Sequence, residues 1–190
     1  IASIIALKQD SIKLRLAYST IGQLAYIVLA TAILAPFSIL AAVLHLAFHA
    51  LGKIILFLSA GIIATRVNVK YVSEMNGIST SLPYTSLLLS LGAIIMVGLP
   101  PTIGFISKWF LIQGIIDADM YILVAVIILS TILNAAYYFP MIYKPFFGPS
   151  NKTFTYREDM LLVLPVALIG LISVILFFTA ETFIIFIEQQ

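Results

Sequence analysis

Cysteine is missing from this 190-residue chain, which excludes disulfides and thiolate metal sites and leaves the redox compartment open. Histidine is nearly missing too, and two imidazoles cannot complete a metal site without carboxylate help, so neither a metal nor another cofactor is expected. Charge is the third shortage, at 9% of residues against about 25% in an ordinary soluble domain. Enzyme signatures are wanting as well. There is no G-x-x-x-x-G-K-[ST] phosphate loop and no G-x-G-x-x-G dinucleotide turn, and His45 to His49 lacks the glutamate of H-E-x-x-H, so a membrane protease fits poorly. A basic signal-peptide start is also lacking. Ile1 to Leu7 (IASIIAL) is too short to span and looks like the tail of a helix begun upstream, so the sequence is expected to be a piece of a longer or split polypeptide.

What is present is apolar. Hydrophobic residues make up 62% of the chain and the mean hydropathy is +1.15. A bilayer core about 30 Å thick takes about 20 such residues per helix, and five stretches qualify: about Leu16 to Leu34, Pro36 to Ala64, Leu82 to Ile116, Tyr121 to Tyr143, and Met160 to Thr179. The third is too long for one straight span and carries Gly98, Pro100, Pro101 and Gly104 near its middle, which predicts two half-helices meeting at a break. Glu181 to Gln190 reads as a short interfacial helix. Open sheet edges cannot be satisfied in hydrocarbon. The expected fold is therefore all-α: a single polytopic membrane helix bundle over residues 1–190, with about five transmembrane helices, one of them broken at Pro100-Pro101.

Charges sort by alternate loops. Lys8, Lys13 and Arg15 precede the first span, Arg66 and Lys70 follow the second, and Lys144, Lys152 and Arg157 follow the fourth, so all eight loop cations fall on one side. The other side carries Asp117, Asp119, Glu181 and, if the last helix stays there, Glu188. The positive-inside rule places the basic loops in the cytoplasm and the chain in the inner membrane. Cations scattered over three short loops invite anionic lipid rather than nucleic acid.

Two basic residues fall inside spans, Lys53 and Lys108. Lys53 lies about 12 residues, or about 18 Å at 1.5 Å per residue, from its helix end, beyond the reach of a snorkelling lysine stem. Burial there costs about 2.5–3.5 kcal/mol and marks an ion path or proton relay. His45, His49 and Lys53 are spaced i, i+4, i+8 and form a slowly winding polar ridge that predicts proton transfer through bridging water. Lys108 follows the break, where freed carbonyls and Ser107 are expected to hold a hydrated cation while the amine exchanges a proton or repels that cation. Ser19, Thr20, Gln23 and Tyr26 extend a hydrated route from the cytoplasm or simply hold helices together. Asn134, Tyr137 and Tyr138 carry the same two readings.

Three motifs resemble one family. Gln9-Asp10-Ser11-Ile12-Lys13-Leu14-Arg15-Leu16-Ala17-Tyr18-Ser19-Thr20 resembles its cytoplasmic loop and helix opening, and His45 to Lys53, continuing to Leu56-Phe57 and Ala60-Gly61, resembles its H-x3-H-A-x2-K-x2-LF motif. Gly98 to Trp109 resembles its broken-helix GxPPxxGFxSKW motif. The family is that of the antiporter-like membrane subunits shared by Mrp-type monovalent cation/proton antiporters and proton-pumping NADH:quinone oxidoreductases. Leu133 to Tyr138 before Phe146-Phe147-Gly148 looks most like the D-type member of the Mrp antiporter subunits. Gly52 stands where the family commonly has a bulkier residue.

The resemblance implies the second of two inverted repeats plus C-terminal helices, with Lys53, His45 and His49 on a central polar axis and Lys108 serving a second half-channel. It also implies a first repeat upstream, and partners that are other membrane subunits of a hetero-oligomeric antiporter or respiratory complex. The expected function is Na+/H+ antiport across the inner membrane. The alternatives are a proton-translocating oxidoreductase subunit and a non-transporting membrane fragment.

Overall fold

The computed structural model describes residues 1–149, 156 and 158–180. Among these residues seven α-helices follow one another: α1 (Ala2–Lys8), α2 (Ile12–Ile33), α3 (Pro36–Arg66), α4 (Pro83–Val97), α5 (Ile103–Asp117), α6 (Ile122–Phe147) and α7 (Met160–Phe178). Their limits have local causes. Ser11 caps α2 and Asp159 caps α7 through side-chain oxygens that accept backbone N–H groups. Pro36 and Pro83 open α3 and α4, where a missing N–H leaves nothing unpaired. Gly98, at φ 78°, ends α4 in the left-handed conformation open to glycine.

Among the described residues four helices, α2, α3, α6 and α7, are long and apolar enough to cross a membrane. The third expected span is divided at its break, as its glycines and prolines predict: α4 and α5 have 15 residues each, so each is about 22 Å long and short of the hydrocarbon thickness, and four rather than five helices are long enough to cross. A second correction concerns the first span, which begins at Ile12 rather than Leu16 and takes Arg15 into its first turn as a buried residue. The fourth runs to Phe147, through Pro140 and Pro145. Glu181 to Gln190, Lys152 and Arg157 lie outside the described residues.

The long helix α3 is central, packing on α2, α4, α5 and α7. Glycines allow its close approach to the broken pair. A Cβ on Gly52 would meet Met96 at 2.9 Å, and one on Gly92 would meet Leu56 at 2.9 Å, so the small residue at 52 fits the α3–α4 crossing. Gly104 is tighter still, because its Cβ would run into the carbonyl oxygen of Ile95. The first turn of α5 therefore lies beside the last turn of α4, backbone against backbone. Leu161, Ile122 and Phe178, each at least 74% exposed, face outward as lipid-contacting side chains do.

The loops gather at one end. Ile12 N–H donates to Lys70 O at 3.0 Å, Val72 N–H to Asp10 O at 2.8 Å and Gly77 N–H to Lys144 O at 3.1 Å, while Arg66 pairs with Asp159 at 3.5 Å. Lys8, Lys13, Arg15, Arg66, Lys70 and Lys144 therefore share one end of the bundle. The opposite end has Ser38 of α3 against Gly114 of α5, a few residues before Asp117 and Asp119.

Candidate functional site

Helix α3 carries His45, His49 and Lys53 inward, α5 carries Ser107 and Lys108, and α2 faces both with Ser19, Gln23 and Tyr26. Lys53 and Lys108 are 7% and 5% exposed. Neither has a carboxylate partner; the only ion pair among the described residues is Arg66–Asp159.

Lys53 Nζ donates to Leu16 O at 2.8 Å and to Ser19 Oγ at 2.5 Å. Ser19 in turn donates to Leu16 O at 2.7 Å and accepts from Tyr138 OH at 3.0 Å, so its one proton and two lone pairs are all used. Thr20 also donates to Leu16 O, at 3.0 Å. Charge-assisted bonds of this kind are the stronger class and offset part of the amine's desolvation. The ring of Phe57 lies 5.7 Å from Lys53 Nζ.

His45 is held at both nitrogens, Nδ1 at 2.9 Å from Ser107 Oγ and Nε2 at 3.1 Å from Gln23 Oε1. The amide of Gln23 donates to Met96 O at 3.3 Å, which fixes its oxygen toward the imidazole and makes Nε2 the donor nitrogen of His45. Ser107 Oγ also lies 3.2 Å from Gly104 O. The ring of His49 stacks on His45 at 6.2 Å, with its Nε2 buried and without a hydrogen-bond partner among the described residues. A cavity of about 10 Å³, about the smallest that holds one water, is bordered by Gln23, His45, His49, Met96, Gly104 and Ser107.

At the break, Lys108 Nζ donates to Val97 O at 2.7 Å and lies 3.4 Å from Thr131 Oγ1. The break thus hands its carbonyls to protein donors: Met96 O to Gln23, Val97 O to Lys108 and Leu99 O to Thr102. Lys108 also sits 5.1 Å from the ring of Tyr26, which lies edge-on to His45 at 5.5 Å.

A second line of polar groups runs through α6. Asn134 Nδ2 donates to Tyr26 OH at 3.3 Å and Tyr137 OH donates to Asn134 Oδ1 at 3.0 Å. The Tyr137 and Tyr138 rings lie 4.6 Å apart, and Tyr138 reaches Ser19. A line of groups through Tyr26, Asn134, Tyr137, Tyr138 and Ser19 therefore links the two lysines, and His45 and His49 lie beside it on α3.

Residues 1–134 match the family described as "NADH:quinone oxidoreductase/Mrp antiporter, TM". The chain belongs to that family. Relatives include NADH-quinone oxidoreductase subunit N of Desulforudis audaxviator, 40% identical over 140 residues, covering 74% of this chain and 28% of the relative. Subunit L from Buchnera aphidicola is 32% identical over 177 residues, 92% of this chain and 28% of the relative. The chain spans about a third of the length of such curated relatives.

Among solved structures, the archaeal membrane-bound sulfane sulfur reductase complex superposes with a TM-score of 0.89 at 26% identity, over 97% of this chain and 37% of that one. The Mrp complex from Dietzia sp. DQ12-45-1b gives 0.88 at 19% identity, over 96% and 42%, which shows a shared fold.

Within this antiporter and oxidoreductase family fold, the structure brings together most of the residues singled out from sequence. Lys53 bonds Ser19, His45 bonds Ser107, and Lys108 meets His45 through the ring of Tyr26, while Gly98, Pro100, Pro101 and Gly104 form the break and Thr20 serves the Leu16 carbonyl locally. Asp119 accepts from Tyr121 OH at 3.0 Å at the far end, away from the lysines. Sequence reasoning missed Arg15, whose guanidinium donates to Gln9 O and to Tyr137 O, both from Nη or Nε atoms at 2.8 Å or less. Its spacing of one turn from Ser19 was the available signal. It also missed Glu158, whose carboxylate accepts from Tyr84 N–H at 2.9 Å and Thr85 N–H at 2.6 Å, fastening the start of α4.

Proposed function

We propose that this chain forms part of a proton-translocating membrane subunit of a multi-subunit respiratory or antiporter complex, with Lys53 and Lys108 as proton-exchanging groups and His45 and His49 between them. One observation carries this reading: every buried ionisable group on the line is an amine, imidazole or phenol, and among the described residues no buried side chain is a carboxylate. Such groups pass protons, and the protonated amines repel metal cations. A sodium ion needs several oxygen ligands, and the carbonyls near the break already accept from Gln23, Lys108 and Thr102. One water in the cavity bordered by the two histidines joins them, and the route continues to Lys53. The α4–α5 pair acts as a fifth, interrupted crossing, and the basic end faces the cytoplasm. The chain corresponds to the second repeat and following helices of a longer subunit.

Mrp-type Na+/H+ antiport is the second reading, favoured by the likeness of Leu133 to Tyr138 to the D-type member of those antiporter subunits. In it the proton limb uses the same lysines, while sodium binds elsewhere in the complete assembly.

The test uses that assembly in sealed vesicles. Lys53→Ala lowers proton translocation at least about tenfold, as expected for loss of a group worth more than 1.4 kcal/mol on the path. Proton movement unaffected by Lys53→Ala and by Lys108→Ala removes the proposal and leaves a structural membrane segment. Dependence on a sodium gradient rather than on an electron donor selects the antiport reading.

A further inference from the structure

At the basic end, an outward-facing groove of about 400 Å³ runs between the start of α2 and the last turns of α3, within the range of about 300–1,000 Å³ seen for small-molecule sites. Its wall on α3 is Phe57, Ala60, Gly61 and Ala64, one side of a helix at i, i+3, i+4, i+7. Phe57 and Gly61 are exposed, and a Cβ on Gly61 would meet nothing within 4 Å. Packing inside the chain therefore does not require glycine there; the room belongs to the groove.

Two lysines stand at its mouth. The Ser11–Tyr71 bridge, with Ile12 N–H on Lys70 O and Val72 N–H on Asp10 O, fixes the two segments side by side and sets Lys13 and Lys70 near each other. Both are exposed and neither forms an ion pair among the described residues. The nearby acids are engaged: Asp10 accepts from Ser73 N–H and hydroxyl, and Glu74 from the N–H of Lys70. Lys13 and Lys70 thus border an apolar trough beside the N-terminus of α2, and basic side chains next to apolar surface are what an anionic lipid recognises.

We propose that this groove holds one anionic phospholipid, its phosphate on Lys13 and Lys70 and an acyl chain along Phe57, Ala60, Gly61 and Ala64. The same Phe57 ring lies 5.7 Å from Lys53 Nζ, so the acyl chain forms the outer side of the wall that shields the buried amine. The proposal concerns lipid binding and stands whether or not the lysines carry protons.

The purified complete assembly, in phosphatidylcholine nanodiscs, is offered a photoactivatable phosphatidylglycerol or the matching phosphatidylcholine, and labelled residues are mapped. Phosphatidylglycerol is expected to label residues 57–71 at least about fivefold more strongly, a preference removed by the double change Lys13→Gln and Lys70→Gln. Gly61→Leu, which fills the groove, removes labelling by either lipid without changing the melting profile. Equal labelling by both lipids, or a preference that survives the double change, overturns the proposal in favour of ordinary annular lipid. Absence of labelling, with Gly61→Cys crosslinking to another subunit, overturns it in favour of a protein helix in the groove.

Discussion

Lys53 and Lys108 solve the same problem in different ways. Each is an amine in a nearly dry interior without a counter-anion among the described residues, yet Lys53 sits in the unbroken α3 while Lys108 sits early in α5, just past an interruption. Lys53 leans on α2 and takes a serine hydroxyl and a carbonyl that still belongs to a regular helix. Lys108 turns back onto α4 and takes Val97 O, a carbonyl beside the point where the ladder stops. Side-chain oxygens supply what an intact helix withholds, and a broken helix supplies it from its own backbone. The first arrangement is sensitive to one hydroxyl, and the second to the geometry of the break.

The comparison can be broken most severely at Gly104. Gly104→Ala drives a methyl group into the carbonyl of Ile95, a backbone atom that cannot yield, and is expected to destabilise the protein by about 3 kcal/mol or more. Loss of the folded assembly on heating in detergent reports it. Gly61→Ala, in α3, places its methyl in open space and leaves the melting temperature unchanged or slightly raised.

Next in size is Ser19→Ala, which removes the 2.5 Å partner of Lys53 and leaves Tyr138 OH without its acceptor. About 1.5–3 kcal/mol is at stake, the range for hydrogen bonds to charged groups. Proton translocation by the complete assembly is expected to fall about tenfold, with amounts of assembled protein reduced less. The smallest effect belongs to Thr131→Ala. At 3.4 Å the threonine is a marginal partner of Lys108, so translocation is expected to stay within about twofold of the parent. A loss from Thr131→Ala as large as that from Ser19→Ala would erase the distinction drawn between the two lysines.

How much of this was legible in the residues divides along physical lines. An ionisable side chain deep in an apolar run carries its cost on its face, so Lys53 and Lys108 stand out, and two prolines flanked by glycines announce the break. Long-range partners do not show in a one-dimensional pattern. Asn134, Tyr137 and Tyr138 read equally well as helix-binding polar residues, and only the fold brings Tyr138 against Ser19, 119 positions away. Arg15 misled for a related reason. Charge counting assigns it to a loop because most arginines near a helix end are solvated, whereas three donors reaching two carbonyls let this one be buried. Length separates four unbroken spans from the interrupted one, since the break leaves two pieces each too short to cross alone.

Ser107 has one hydrogen and two neighbours able to take it, the Nδ1 of His45 and the carbonyl of Gly104. With His45 neutral and its Nε2–H committed to Gln23, the hydrogen belongs on the imidazole side. Were His45 to gain a second proton, Nδ1 would itself donate and the serine hydrogen would turn to Gly104 O, so a charge on a ring in α3 would reach the backbone of α5 at the turn that touches Ile95 without any helix moving.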